Sequence, residues 1–146
     1  MAQFKKCYNM GGKMSNLIKP YELSIWEEVW DSTNEKFVEK RLSIIGSNTM
    51  TSPNRALETT LVKNVNGTKT LTFNMYSYYT DPMTGEWTHN AFTDLLINER
   101  KVKLKYGTYT DAEGQEQDKW YDFVVKDISQ NSTTYLYTYS LEDVLV

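Results

Sequence analysis

Histidine and cysteine are scarce in this chain, and their scarcity limits the catalytic chemistry that it could perform. The single histidine is His89 and the single cysteine is Cys7. A nucleophilic triad or an imidazole-based metal site would therefore depend on His89 alone, which we interpret as a surface or capping residue. Lys5 and Lys6 favour a reactive thiolate at Cys7, but no histidine lies near it in sequence to act as a base.

Carboxylates are plentiful, and a glycosidase could in principle use any two of them, but their spacing selects no pair. Asp111-Ala-Glu113-Gly114 resembles the start of a calcium loop, yet the later ligands and the closing glutamate are absent from the sequence. No glycine-rich phosphate loop is present. We therefore predict no catalytic residue, no metal site and no cofactor, and expect that the chain is not an enzyme.

Length and composition are those of one ordinary globular domain. The chain has 146 residues, of which 40% are hydrophobic and 24% charged, so a sizeable core is possible without disulfides or metal. Tyrosine (11) and tryptophan (4) are the unusual components. Because both residues are enriched in strands and at interfaces, this composition favours a β-rich domain.

The charge balance gives no general attraction for a polyanion, because the formal net charge is −3. Nucleic acid is therefore not an expected partner. Lys101, Lys103 and Lys105 are a local exception, which we interpret as a solvated strand face that discourages edge pairing. With one cysteine, no apolar run of about 18 residues and no signal peptide, the sequence predicts a soluble protein made in the cytoplasm, without a membrane partner.

Alternation of apolar and polar residues predicts antiparallel strands over most of the chain. In residues 98–106, Val102 and Leu104 share a face opposite the lysines, and residues 120–128 form the second arm of a hairpin with a long loop. Further strands are predicted at residues 21–26, 37–45, 56–65, 69–79 and 133–141. In the last of these, Tyr135 is expected on the same face as Tyr137, Tyr139 and Leu141.

Turn chemistry and one helical patch complete the fold prediction. Asn66-Gly67 predicts a two-residue type I′ hairpin. Residues 89–97 predict a short helix capped by Asn90. The predicted fold is all-β and mostly antiparallel, either barrel-like or a sandwich, with one short helix. Residues 1–19 are expected to be a flexible arm, and residues 20–146 a single β-rich domain.

Several of these segments resemble a known family when they are read together. They are Tyr78-Tyr79 followed by Asp81-Pro-Met-Thr-Gly85, Asn90-Ala-Phe92, residues 95–106 and residues 119–126, with further similarity at residues 21–26 and 135–143. The chain resembles the N-terminal domain of bacteriophage tail-tip or baseplate hub proteins, including the tail-associated and endopeptidase-tail proteins of phages and prophages of Gram-positive bacteria.

This resemblance implies a structural role in a virion. Hub domains of that type are β-barrel-like modules that trimerise around the tail axis, so the expected partners are further copies of this chain and other tail proteins: the tail tube, the distal tail protein and the tape measure. The expected location is the phage tail, after synthesis in the bacterial cytoplasm. Such domains usually continue into further hub domains, and the apolar end at Val146 suggests a cut chain or a docked end.

Large aromatic side chains on outer strand faces fit contacts between subunits. The candidate interface residues are Trp26, Trp30, Tyr76, Trp87, Trp120, Lys101, Lys103 and Lys105. One alternative is a carbohydrate-binding β-sandwich, in which exposed Trp and Tyr rings would stack on sugars. A further alternative is an OB-like nucleic-acid module that would use the three lysines with Tyr106 and Tyr109.

Overall fold

Residues 16–144, the part of the chain that the computed structural model describes, form nine β-strands and one short α-helix. In chain order these are β1 (Tyr21–Asp31), β2 (Lys36–Ser47), β3 (Leu57–Lys63), β4 (Lys69–Tyr76), β5 (Tyr78–Thr80), β6 (Trp87–His89), α1 (Ala91–Leu95), β7 (Lys101–Thr110), β8 (Glu116–Gln130) and β9 (Leu136–Asp143).

Seven strands make one antiparallel sheet in the order β2-β1-β7-β8-β9-β4-β3, and β5 and β6 form a separate ribbon. The prediction of a mostly antiparallel all-β fold with one short helix is confirmed. Within the described residues no strand ladder joins the edge strands β2 and β3, so the sheet is not a closed barrel. The two edges nevertheless approach where the Ala56 N–H donates to the Ile45 carbonyl at 2.7 Å. The curled sheet is therefore sandwich-like.

The core lies on the concave face of this sheet and is built from alternate residues of its strands. Val102 and Leu104 of β7 are fully buried, as the alternation predicted. In β4 the inward residues are Leu71, Phe73 and Met75. Leu96, which follows α1, closes one side of the core.

The helix starts at its predicted cap but is shorter than predicted. The Phe92 N–H donates to the Asn90 side-chain oxygen at 3.0 Å, which satisfies one of the free amides of the first turn. The helix ends at Leu95 because Leu96 leaves the helical conformation with φ −89° and ψ 68°. This turn directs Leu96 into the core.

The prediction of a long loop between β7 and β8 is wrong. The strands are connected by residues 111–115 alone, where the Gln115 and Glu113 N–H groups donate to the Asp111 carboxylate. Gly107 lies within β7, with φ +80°, at a register shift between Lys105 and Thr108. A bulge of this kind needs the positive φ that glycine adopts at low cost, so Gly107 bends a long strand.

The β3–β4 hairpin is confirmed, but its two-residue type I′ turn is wrong. The Asn64 N–H donates to the Thr68 carbonyl at 2.8 Å, and the Gly67 N–H donates to the Asn64 carbonyl at 3.0 Å, so three residues form the loop. Gly67 has φ +89° and Asn66 has no positive φ. This is a type I turn followed by a left-handed glycine.

The four described residues of the predicted flexible arm are attached to the sheet. The Asn16 side chain donates to the Leu61 carbonyl at 3.1 Å and accepts from the Leu61 N–H at 3.0 Å. Leu17 packs against the core. The rest of the arm, including Cys7, lies outside the described residues, and no helix within residues 16–144 is long and apolar enough to cross a membrane.

Candidate interaction surfaces

The outer face of the adjacent strands β2, β1, β7 and β8 carries a mixed cluster that we call the lysine–tryptophan face: Trp26, Glu39, Lys101, Lys103, Lys105 and Trp120. Trp26 donates from its indole nitrogen to the Ser24 hydroxyl at 2.8 Å and lies edge-on to Trp120, with 6.5 Å between ring centroids. The Lys103 ammonium is 4.5 Å from the Trp26 ring centroid, within range of a cation–π interaction. Cross-strand pairing of Ser24 with Lys103 brings these side chains together.

The prediction that the three lysines form a solvated face is wrong for two of them. The Lys101 and Lys103 side chains are only 22% and 15% exposed, and both ammonium groups donate to the Glu39 carboxylate. Hydrogen bonds from Lys101 and then Lys103 lower the pKa of Glu39, and the bond to Glu39 raises the pKa of Lys101. The strand is central rather than an edge because β7 lies between β1 and β8, so these lysines are packed among neighbouring side chains.

The β1–β2 hairpin extends beyond the sheet and ends in an exposed aromatic pair. β1 pairs with β7 only from Tyr21 to Trp26, so residues 27–31 are paired with β2 alone. Opposite each other on this extension, Trp30 and Phe37 make an edge-to-face contact with ring centroids 5.2 Å apart. They are 55% and 65% exposed, and we call residues 30–37 the hairpin tip.

A second aromatic cluster surrounds an open pocket of about 370 Å³, here called the aromatic pocket. Its lining residues are Pro53, Arg55, Leu57, Tyr76, Tyr78, Tyr79, Trp87 and Thr134. Tyr78 stacks on Trp87 with ring centroids 5.8 Å apart, and Tyr135 contacts both rings edge-on. The side chain of Trp87 is 58% exposed, so an aromatic surface is open to solvent there.

Arg55 is the charged residue of the pocket lining. It donates from Nη1 to the carbonyls of Thr51 and Ser52, at 3.2 and 2.9 Å. Among residues 16–144 it has no carboxylate partner, because none of the ion pairs there includes it. The pocket therefore combines stacked aromatic rings with one cation whose charge no protein carboxylate neutralises within the described chain.

Asn90 holds the two sides of the pocket together. Its buried side-chain amide donates to the Asn54 carbonyl at 3.0 Å and to the Tyr76 carbonyl at 2.8 Å. These bonds join the loop that carries Arg55 to the end of β4. A buried amide that satisfies three backbone groups, including the first turn of α1, is a strong local constraint.

Tyr135 reaches the cluster through an unusual backbone conformation. Its φ is +61°, a region that bulky residues rarely adopt. The Tyr135 carbonyl accepts from the Ser77 N–H at 2.8 Å, and this bond fixes the turn beside β5. The prediction that Tyr135 shares a face with Tyr139 is wrong, because Tyr135 precedes β9 and its positive φ breaks the alternation of the strand. Tyr139 is fully buried, whereas Tyr135 is 39% exposed.

The predicted interface residues do not form one surface. Trp26, Trp120 and the lysines lie on the lysine–tryptophan face, Trp30 lies at the hairpin tip, and Tyr76 and Trp87 line the pocket. The sequence interpretation missed Glu39, Phe37, Arg55, Tyr78 and Tyr135. Of these, Phe37 had a signal, because it is the first residue of the strand predicted at residues 37–45; in the structure it lies opposite Trp30.

His89 belongs to the rim of the aromatic cluster. Its Nε2 lies 2.9 Å from an oxygen of the Asp94 carboxylate, and its ring centroid is 5.1 Å from that of Tyr78. The side chains of His89 and Asp94 are both exposed. Within residues 16–144, no group of three His, Cys, Asp or Glu side chains could hold a metal ion. The described residues thus bring together aromatic and charged contact surfaces.

Comparisons with known proteins identify no relative: no family model matches this chain, and no curated protein or solved structure matches it significantly.

Proposed function

We propose that this chain is a structural subunit of a phage tail tip or baseplate hub, which assembles as a ring, most simply a trimer, and links the tail tube or distal tail protein to the tip. The proposal combines the resemblance of residues 21–146 to tail hub domains with the exposed aromatic features described above. It assigns the chain a non-enzymatic role in the virion.

The observation that carries the proposal is the exposed Trp30–Phe37 pair on a hairpin that projects past β7. An isolated two-stranded hairpin is marginally stable in water, and large aromatic side chains gain about 25 cal/mol for each Å² that is removed from water. A projection that exposes two such rings is a typical subunit contact, because aromatic residues concentrate in the centres of protein interfaces.

The charge arrangement on the lysine–tryptophan face supports contact with protein rather than with nucleic acid. Glu39 pairs with both Lys101 and Lys103, and Asp122 lies 3.9 Å from the Lys103 ammonium, so two carboxylates balance these two lysines. Among the described residues Lys105 is the lysine of this face without an ion pair. A nucleic-acid groove needs several cations free to meet phosphates. A face of paired charges and tryptophans suits a protein partner with matching polar groups.

Antibody labelling tests the virion assignment. Antibodies against the purified chain should bind the distal end of the tail in negatively stained particles whose genome encodes it. Labelling of the capsid, or particles that carry no label while an antibody to another tail protein binds, would contradict the proposal.

Carbohydrate binding is the second candidate, and the aromatic pocket is the observation that favours it. Exposed Trp87 and Tyr78 beside Arg55 offer rings and a hydrogen-bond donor to a sugar. The rings stack on each other, with 14° between their planes, so they form a cluster rather than a flat row. Binding on a glycan array that is lost in Trp87→Ala would support this candidate, and an array without binding would exclude it.

A further inference from the structure

We propose that the hairpin tip of one copy of this chain binds in the aromatic pocket of a second copy, so that subunits associate head to tail. This inference rests on the proposed function, because it names the contact that would build the ring. The partner of both the hairpin tip and the aromatic pocket is then another molecule of the same sequence.

The tip cannot reach the pocket of its own chain. Pro53, Arg55 and Leu57 of the pocket flank Ala56, whose N–H is bonded to Ile45 near the C-terminal end of β2. The tip is at the other end of β2, where the strand begins at Lys36. Nine residues of extended strand separate these points, a distance of roughly 30 Å at about 3.3 Å per residue. Only a neighbouring molecule can bring tip and pocket together.

Shape and apolar character match between the two surfaces. The tip is a narrow projection that presents Trp30 and Phe37, and the pocket is a concave surface of about 370 Å³ lined by tyrosines and Trp87. That volume is at the small end of the roughly 300–1,000 Å³ typical of ligand pockets, which is suitable for an aromatic side chain. Aromatic anchors that fill partner pockets dominate binding energy at protein interfaces.

Charge is complementary as well. The tip carries Asp31 and Glu35 against one cation, Lys36, so its net charge is −1. Asp31 stays ionised, because hydrogen bonds from Asn34 lower the pKa of its carboxyl. The pocket offers Arg55, which has no carboxylate partner among the described residues. An acidic tip can therefore supply the carboxylate that Arg55 lacks among the described residues of its own chain.

A contact between two different surfaces is heterologous, and such contacts close into rings when the rotation between subunits permits. The tip belongs to the β1–β2 edge of the strand order, whereas Leu57 and Tyr76 of the pocket belong to the β3–β4 edge. Each subunit then uses the tip of the β1–β2 hairpin to bind one neighbour and the pocket beside β3 and β4 to bind the other. A trimer formed in this way has three identical contacts and no free tip or pocket.

Mixing two variants tests this arrangement. Trp30→Ala removes the main tip anchor and keeps the pocket, whereas Trp87→Ala damages the pocket and keeps the tip. Each variant alone should show a dissociation constant raised at least about tenfold in sedimentation velocity, as expected for loss of a buried aromatic anchor. In an equimolar mixture, the intact tip of Trp87→Ala should bind the intact pocket of Trp30→Ala. The resulting heterodimer should not grow further, because its remaining tip and its remaining pocket are the mutated ones.

Controls separate the possible failures. Tyr109→Ala removes an exposed aromatic from the β7–β8 hairpin and should leave association unchanged. Far-UV circular dichroism establishes that each variant is folded. Arg55→Glu provides a second pocket variant, which should also lose self-association. If both tryptophan variants associate like the parent, the contact between tip and pocket is overturned, but the proposed function as an oligomeric hub subunit is not. If the parent itself never associates, the proposed function fails too. Sugar binding at Trp87 with unchanged association would assign the pocket to carbohydrate instead.

Discussion

The Lys103 ammonium lies 4.5 Å above the ring centroid of Trp26 while it also donates to the Glu39 carboxylate. One lysine of a central strand is thereby enclosed by an aromatic ring on one side and by a carboxylate on another. Its side chain is 15% exposed. The outer face of the sheet is thus a packed polar layer, which makes Glu39 important for stability.

Glu39→Gln should lower the free energy of unfolding by about 1 kcal/mol at pH 7, a modest value because the ion pairs are partly exposed to solvent. The pKa of Glu39 is lowered in the folded chain from its ordinary value of 4.5, so its stabilisation is present above that value and is lost as pH falls through the folded-state pKa. Urea unfolding at several pH values should therefore show the parent and the variant converging in acid. Glu113→Gln, in the exposed β7–β8 turn, is the control, and a difference that persists unchanged in acid would contradict the role of Glu39.

Replacement of Tyr135 should reveal backbone strain. At most positions a glycine variant has a free energy of unfolding about 0.5–1 kcal/mol lower than that of the alanine variant. At φ +61° this order should reverse, because alanine keeps the backbone strain and glycine releases it. Both variants lose the ring contacts with Tyr78 and Trp87, so the difference between them isolates the backbone. Chemical denaturation should show Tyr135→Gly more stable than Tyr135→Ala by about 1 kcal/mol. Equal stabilities, or the usual order, would mean that the turn is not strained.

Asn90→Ala should destabilise the chain by about 3 kcal/mol, because it removes a helix cap and leaves the Asn54 and Tyr76 carbonyls without their buried donor. Asn131→Ala is a suitable control. Asn131 also accepts backbone hydrogen bonds in a turn but is exposed, so its loss should cost less than about 1 kcal/mol. Equal losses in the denaturant midpoint would argue against Asn90 as the residue that holds the pocket together.

Tyr139→Phe should stabilise the chain by about 1 kcal/mol. The Tyr139 side chain is fully buried, and its hydroxyl has no hydrogen-bond partner among the described residues. Burial also raises the pKa of this phenol. Thermal unfolding should therefore give a higher midpoint for Tyr139→Phe and no change for Tyr109→Phe, whose exposed hydroxyl is solvated in both states. A fall in the midpoint would show that the hydroxyl has a stabilising partner.

Local patterns in the sequence predicted the strands well, because burial on one face of a sheet imposes a period of two. Val102 and Leu104 were placed inward by alternation alone, and Asn90 was identified as a helix cap from residue type and position. Strand order was not accessible in this way. It depends on pairings such as β4 with β9, which join residues far apart in sequence.

The candidate surfaces were only partly predictable for the same reason. Trp30 and Trp87 could be selected as large aromatics, but Glu39 precedes Lys103 by 64 residues, and nothing local indicates that the two meet. Tyr135 was misplaced because alternation cannot detect a residue with positive φ at the start of a strand. Long-range pairing and backbone exceptions therefore decide which aromatic residues share a surface.

Sedimentation equilibrium of residues 1–146 over a wide concentration range should distinguish a ring-forming subunit from a monomer. We expect self-association to a defined oligomer with three times the mass of the chain, weakened by Trp30→Ala and Trp87→Ala and unaffected by Tyr109→Ala. A monomer at every concentration would contradict the proposal that this protein is a ring-forming subunit.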